Sequence, residues 1–173
     1  MTDDLNEEIT NPEPEEPENE PGESDPTPIE AFITLAQQST SFSADFLQEV
    51  GNLISALGYT LTTGDVYLLA FSAGYVEQDI KNSCNVTEVP KGLEKVAVEL
   101  IVARFLAAKK NSFTAEQLEA FDSSPLLKEL SEGDTKQVWD TSSGSSASQR
   151  LDLLIALYES GRTQFITYRR LKW

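Results

Sequence analysis

The sequence predicts an all-α protein, a small bundle of about four helices between a disordered acidic N-terminal tail and an extended C-terminal arm. Three observations lead there. Apolar residues recur at three- and four-residue intervals in several separate segments. One of these segments is apolar around nearly its whole circumference, as a central helix should be. Six of the eight prolines and twelve acids fall within the first thirty residues, which contain no Lys or Arg. The formal net charge of −16 therefore belongs mostly to that tail, and the remaining 143 residues carry only −4.

The elements follow in order. "MTDDLNEEITNPEPEEPENEPGESDPTP" holds too little apolar surface to offset its ordering entropy. Residues 1–41 are read as an acidic, Pro-rich disordered tail, with order beginning between Ile29 and Ser43. The tail is either a solubilising brush or a docking arm for a basic partner. In "SADFLQEVGNLISALGYT", Phe46, Leu47, Val50, Leu53, Ile54 and Leu57 form a helical stripe, and Gly58 gives a stop. Thr62 and Asp65 resemble a cap before the next stripe, which runs Val66, Leu69, Ala70, Ala73, Val76 and Ile80. Ala70, Ala73 and Gly74 would let another helix approach closely. Pro90 fits a helix start. Leu93, Val96, Ala97, Leu100, Ile101 and Arg104 then share one face of the third helix. Val98, Val102, Phe105 and Leu106 carry its apolar character around the rest, so it is central or shared with a neighbouring subunit. The two middle helices are expected to pack as an antiparallel hairpin. Lys109 and Lys110 suit the end of the helix dipole.

Downstream, Thr114 and Gln117 fit a capping box for a short helix, and Ser146 and Gln149 fit a second. Between them, Gly133–Asp134 reads as a turn, Val138 and Trp139 favour strand, and "TSSGSSAS" reads as a loop. "RLDLLIALYESG" is a final helix ended by Gly161. The globular part is expected over residues 42–161. The last stretch, residues 162–173, alternates Phe165, Thr167 and Arg169 against Ile166, Tyr168 and Arg170, which favours an extended arm.

Several chemistries are excluded or unsupported. The chain has no His and one Cys, Cys84, so it can form neither a Cys/His zinc site nor a His-dependent triad. No phosphate-binding glycine loop is present. No basic start precedes an apolar run, so no secretory signal is expected, and no apolar stretch is long enough to span a membrane. Asp122, Glu129, Glu132 and Asp134 read as a metal site or as a solvated face and a turn. They lack calcium-loop spacing. Cys84 reads as a nucleophile without a base or as a packed thiol. Arg104 reads as an inter-subunit ion-pair partner or as a snorkelling side chain. We expect no catalytic residue, no metal and no cofactor. The bases Arg162, Arg169, Arg170 and Lys172 cluster at the C-terminus, interleaved with Phe165, Tyr168 and Trp173. Arginine and aromatics together anchor protein interfaces, so protein docking is favoured. The alternative is a small helical nucleic-acid-binding or regulatory protein using the same tail.

From about Asp45 onward, the order of several motifs resembles a known family. These are "GDVYLLAFSAGYVEQDIKNSCNVTEVPKGL", "VAVELIVARFLAAKK", "LSEGDTKQVWD" and "YRRLKW". They are similar to motifs of the head–tail connector (adaptor) proteins of tailed bacteriophages, also known as phage DNA-packaging or head completion proteins. The acidic N-terminal extension departs from that pattern. The resemblance implies a non-enzymatic structural protein of the virion neck, made in the host bacterial cytoplasm. It implies a homo-oligomeric ring, commonly of twelve subunits, beneath the portal protein, with a stopper or tail-completion protein on the other side. DNA would pass through the lumen without sequence-specific binding, and no membrane is involved. Portal docking would fall to Phe165, Ile166, Tyr168, Arg169, Arg170, Leu171 and Trp173. Subunit contacts would fall to Val98, Val102, Arg104 and Phe105.

Overall fold

The computed structural model describes residues 25–121 and 146–170. Among these residues there are six α-helices of six or more residues, one final helical turn and no strand. We label them α1 (Pro28–Gln37), α2 (Ala44–Ala56), α3 (Val66–Cys84), α4 (Glu94–Lys109), α5 (Ala115–Ala120), α6 (Ala147–Ser160) and α7 (Phe165–Tyr168). The fold class agrees with the sequence, although the helices outnumber the four expected. The turn at Gly133–Asp134, the strand at Val138 and Trp139, and the acidic group Asp122, Glu129, Glu132 and Asp134 lie outside the described residues.

The expected tail boundary at residue 41 needs correction, because α1 stands inside that segment. Its start is encoded locally. The Thr27 hydroxyl accepts from the Glu30 amide at 3.4 Å, and the Glu30 carboxylate accepts from the Thr27 amide at 2.8 Å. Pro28 supplies a preset φ at the first helical position, where its missing N–H costs nothing. Phe32 and Ala36 are then fully buried, and α1 packs against both α2 and α3. The apolar face of α1 settles the matter: a prolyl start belongs to a helix when the residues after it have a core to enter.

Helix α2 ends as expected at Gly58, whose φ of 83° only glycine adopts without strain. The Tyr59 amide bonds the Ile54 carbonyl at 3.2 Å, and the Gly58 amide bonds that of Ser55 at 2.9 Å, closing the helix end. The Thr62–Asp65 cap is present, and so are those at Thr114–Gln117 and Ser146–Gln149.

Helix α4 is the centre of the bundle, in contact with α2, α3 and α6. Val96, Ala97, Val98, Leu100, Ile101, Val102, Ala103, Phe105 and Leu106 are all buried. Its all-round apolar character is thus consumed within one chain. Val98, Val102 and Phe105, expected at a subunit interface, are at most 7% exposed and covered by the chain itself. Three neighbouring helices supply the apolar cover that a second subunit was expected to give. Arg104 is the exception on this helix. Its guanidinium carbon lies 3.4 Å from the centroid of the Tyr75 ring, a cation–π contact that neither sequence reading anticipated.

Two buried carboxylates tie loops to the bundle. Asp65 accepts from the Tyr59 hydroxyl at 2.8 Å, the Thr62 amide at 2.9 Å and the Thr62 hydroxyl at 2.8 Å, and it pairs with Lys109. Burial alone would raise the Asp65 carboxyl, but bonds from Lys109, Thr62 and Tyr59 hold it below the usual range. Lys109 therefore reaches across to the start of α3 as well as serving the helix dipole. Glu77 accepts from the Ser41 amide at 3.0 Å and pairs with Lys81 at 2.7 Å. Its carboxyl is likewise held low by Lys81 and Ser41 against the effect of burial. Tyr59 also anchors an aromatic cluster, with Phe105, Phe113 and Phe121 rings 5.8, 5.5 and 6.1 Å away.

Candidate functional site

The C-terminal stretch is the segment that the sequence marks for docking, and its conformation corrects the extended arm. After α6 the chain continues through a 3₁₀ turn, Gly161–Gln164, into α7. Gly161 therefore ends the α-helix without releasing the chain from the bundle. At helical spacing, Phe165 and Tyr168 turn to the same side. Phe165 is buried, and Tyr168 is half-buried against Gly92 at the start of α4. Arg162, Ile166 and Arg169 are spaced four and three apart and share the opposite side. Read at period two, these residues mix polar and apolar on both faces. Read at 3.6, they separate cleanly, and that signal was present in the sequence.

Beyond α7 the backbone is fastened to the end of α3. The Arg170 amide donates to the Cys84 carbonyl at 2.8 Å, and the Asn85 side-chain amide donates to the Arg170 carbonyl at 2.9 Å. Asn85 has a left-handed φ of 53°, a conformation asparagine tolerates, and it turns the chain away from α3. Arg170 thereby satisfies a carbonyl that the helix end leaves open. Cys84 is fully buried, with its thiol 3.6 Å from the Phe165 carbonyl. Burial first, and then the Asp79 charge, push the Cys84 thiol up. This is a packed thiol.

The resulting surface is an open groove of about 420 Å³, lined by Asp79, Asn82, Ser83, Arg162, Phe165, Ile166 and Arg169. Arg162 pairs with Asp79 at 3.0 Å. Among the described residues, neither Arg169 nor Arg170 makes an ion pair, and both are exposed. Ile166 is 80% exposed beside them. Of the residues expected to dock, the structure presents Ile166, Arg169 and Arg170 outward. It buries most of Phe165 in the core, so that this ring only borders the groove, and it keeps Tyr168 half-buried. Leu171 and Trp173 lie outside the described residues.

Sequence reading missed a second surface. Tyr67, Phe71 and Tyr75 are 74%, 56% and 43% exposed and stand four residues apart on α3. Gln78 and Asn82 continue the same exposed face, so the stripe bears no charge of its own. The four-residue spacing of these aromatics was visible. It was hidden by the neighbouring stripe Val66, Leu69, Ala73, Val76 and Ile80, which claims the core side of the helix.

No described helix is long and apolar enough to cross a membrane. Among the described residues, no group of three or more acidic or cysteine side chains is placed to hold a metal ion. Compared with known proteins, the chain matches no family model, no curated protein and no solved structure.

Proposed function

We propose that this chain is a structural, non-enzymatic head–tail connector of a tailed bacteriophage. It docks on a portal ring through the surface of Arg162, Ile166, Arg169 and Arg170, and through the residues that follow. The observation that carries this reading is the placement of Ile166 and two arginines, neither ion-paired among the described residues, on a backbone anchored to α3. Exposed aliphatic surface flanked by arginine suits an interface with carboxylates, which guanidinium groups bind bidentately. The resemblance of the motifs between Asp45 and Trp173 to connector proteins supplies the partner.

Side-by-side packing of copies would use the stripe of Tyr67, Phe71 and Tyr75, with Arg104 at its edge, in place of the buried residues of α4. The three rings expose roughly 350 Å² of surface, within the size range of functional patches on single chains. The partner there is a second copy, in a head-to-tail contact of the kind that closes rings.

The test uses the full chain. Deleting Phe165–Trp173 would remove a core residue, so surface substitutions are the cleaner probe. Ile166→Asp combined with Arg169→Ala and Arg170→Ala should abolish co-sedimentation with a candidate portal ring. Helical circular dichroism should stay unchanged. Undiminished portal binding by this variant would overturn the assignment.

A further inference from the structure

The groove beside α7 carries Arg162, Arg169 and the exposed Ile166 beside a single carboxylate, Asp79, whereas the chain's own N-terminal segment is acidic and sparingly apolar. Residues 1–24 contain ten acids and no base. Their only large apolar residues are Met1, Leu5 and Ile9, and each of the latter two follows directly on an acid pair: Asp3–Asp4 before Leu5, and Glu7–Glu8 before Ile9. The groove and its edge offer the complementary set. Ile166 is an exposed aliphatic side chain in the groove, Arg169 in the groove and Arg170 just beyond it lack ion-pair partners among the described residues, and Arg162 is paired with Asp79.

We propose that the segment Asp3–Ile9 docks on the Arg162, Ile166, Arg169 and Arg170 surface of the same chain. Leu5 or Ile9 covers Ile166, and the acid pairs meet the arginines. Reach poses no obstacle. The 24 residues before Asp25 can span up to ~80 Å, whereas α3, along which α1 packs, is ~28 Å long. Tethering keeps the local concentration of the segment high, so even weak pairing would hold it in place. Residues 122–145, also outside the described part, carry five acids and two lysines and so offer less charge. The docking rests on this chain's charges and on the exposed surface beside α7, and not on the proposed portal binding.

The experiment is an amide chemical-shift comparison on the full chain, without a portal. Neutralising the segment (Asp3→Asn, Asp4→Asn, Glu7→Gln, Glu8→Gln) should move the amides of Arg162 through Arg170 and leave those of α2 in place. The reciprocal variant, Ile166→Ser with Arg169→Ala, should move the amides of residues 3–9. Raising salt from about 0.01 M to about 1 M shortens the screening length from ~30 Å to ~3 Å and should reproduce the neutralisation shifts in the unaltered chain. Three results would overturn the proposal: silent amides at 162–170, shifts at Tyr67, Phe71 and Tyr75 instead, or shifts that grow with protein concentration. Because no portal is present, these results are independent of portal binding.

Discussion

The phenol of Tyr168 fills the space that a β-carbon on Gly92 would occupy, with its ring carbon Cζ 2.7 Å from that position. Two segments 76 residues apart, the lead-in to α4 and the end of α7, are thereby locked together. Gly92→Ala should push the tyrosine's hydroxyl end outward and destabilise the chain by about 0.5–1 kcal/mol, because the glycine is exposed and the half-buried ring can yield. Urea unfolding would measure it. In a Tyr168→Ala background the same glycine substitution should cost almost nothing, because the clash is gone. Equal costs in both backgrounds would count against the contact.

A comparable relation holds α1 in place. A β-carbon on Gly51 of α2 would collide with the Ile29 side chain. Gly51→Ala should displace the first turn of α1 and raise hydrogen-exchange rates over residues 29–36. The amides of α4 should keep their protection. Uniform loss of protection would show that α1 is not a separable element.

The buried charges set a pH window. Asp65 and Glu77 both have carboxyls held below their ordinary value, so their contribution is complete above about pH 5 and is lost as pH falls through the lowered folded values. Lys109 is raised: burial opposes its charge, but Asp65 and Tyr59 outweigh that effect. Its contribution is complete below about pH 10.4 and is lost as pH rises through the folded value. Stability measured by urea midpoint should therefore plateau between about pH 5 and about pH 9. Asp65→Asn with Glu77→Gln should flatten the acid limb, and an unchanged acid limb would refute the assignment. Asp65→Ala at neutral pH should cost about 3 kcal/mol, because it strands Lys109 and leaves several donors unpaired.

The aromatic stripe on α3 predicts a dissociation of stability from assembly. Tyr67→Ser with Phe71→Ser touches no core residue, so each change should alter unfolding by no more than about 0.5 kcal/mol. If copies pack through this stripe, the variant should fail to form rings on a portal in electron micrographs. Normal rings would place the subunit contact elsewhere.

Local patterns in the sequence encode the helical class, the extents of α2 and α3, and three capping boxes, whereas Pro90 precedes a short 3₁₀ turn and α4 begins only at Glu94. Each rests on contacts within a few residues, namely apolar repeats at 3.6, a hydroxyl or carboxylate facing an amide, or glycine at a positive φ. The Thr27–Pro28–Glu30 start of α1 was equally legible, but the surrounding prolines and acids disguised it. The tertiary structure alone decided which apolar residues are spent inside the chain. Val98, Val102, Phe105 and Phe165 look like interface residues in isolation, and they become core only because α2, α3 and α6 surround α4 and Cys84 receives α7. It also decided what remains outside: Ile166 and the arginines on one side, Tyr67, Phe71 and Tyr75 on another. Periodicity states that a helix has an apolar face. The number of faces that find cover depends on the neighbours that long-range packing brings, and no local pattern contains that information.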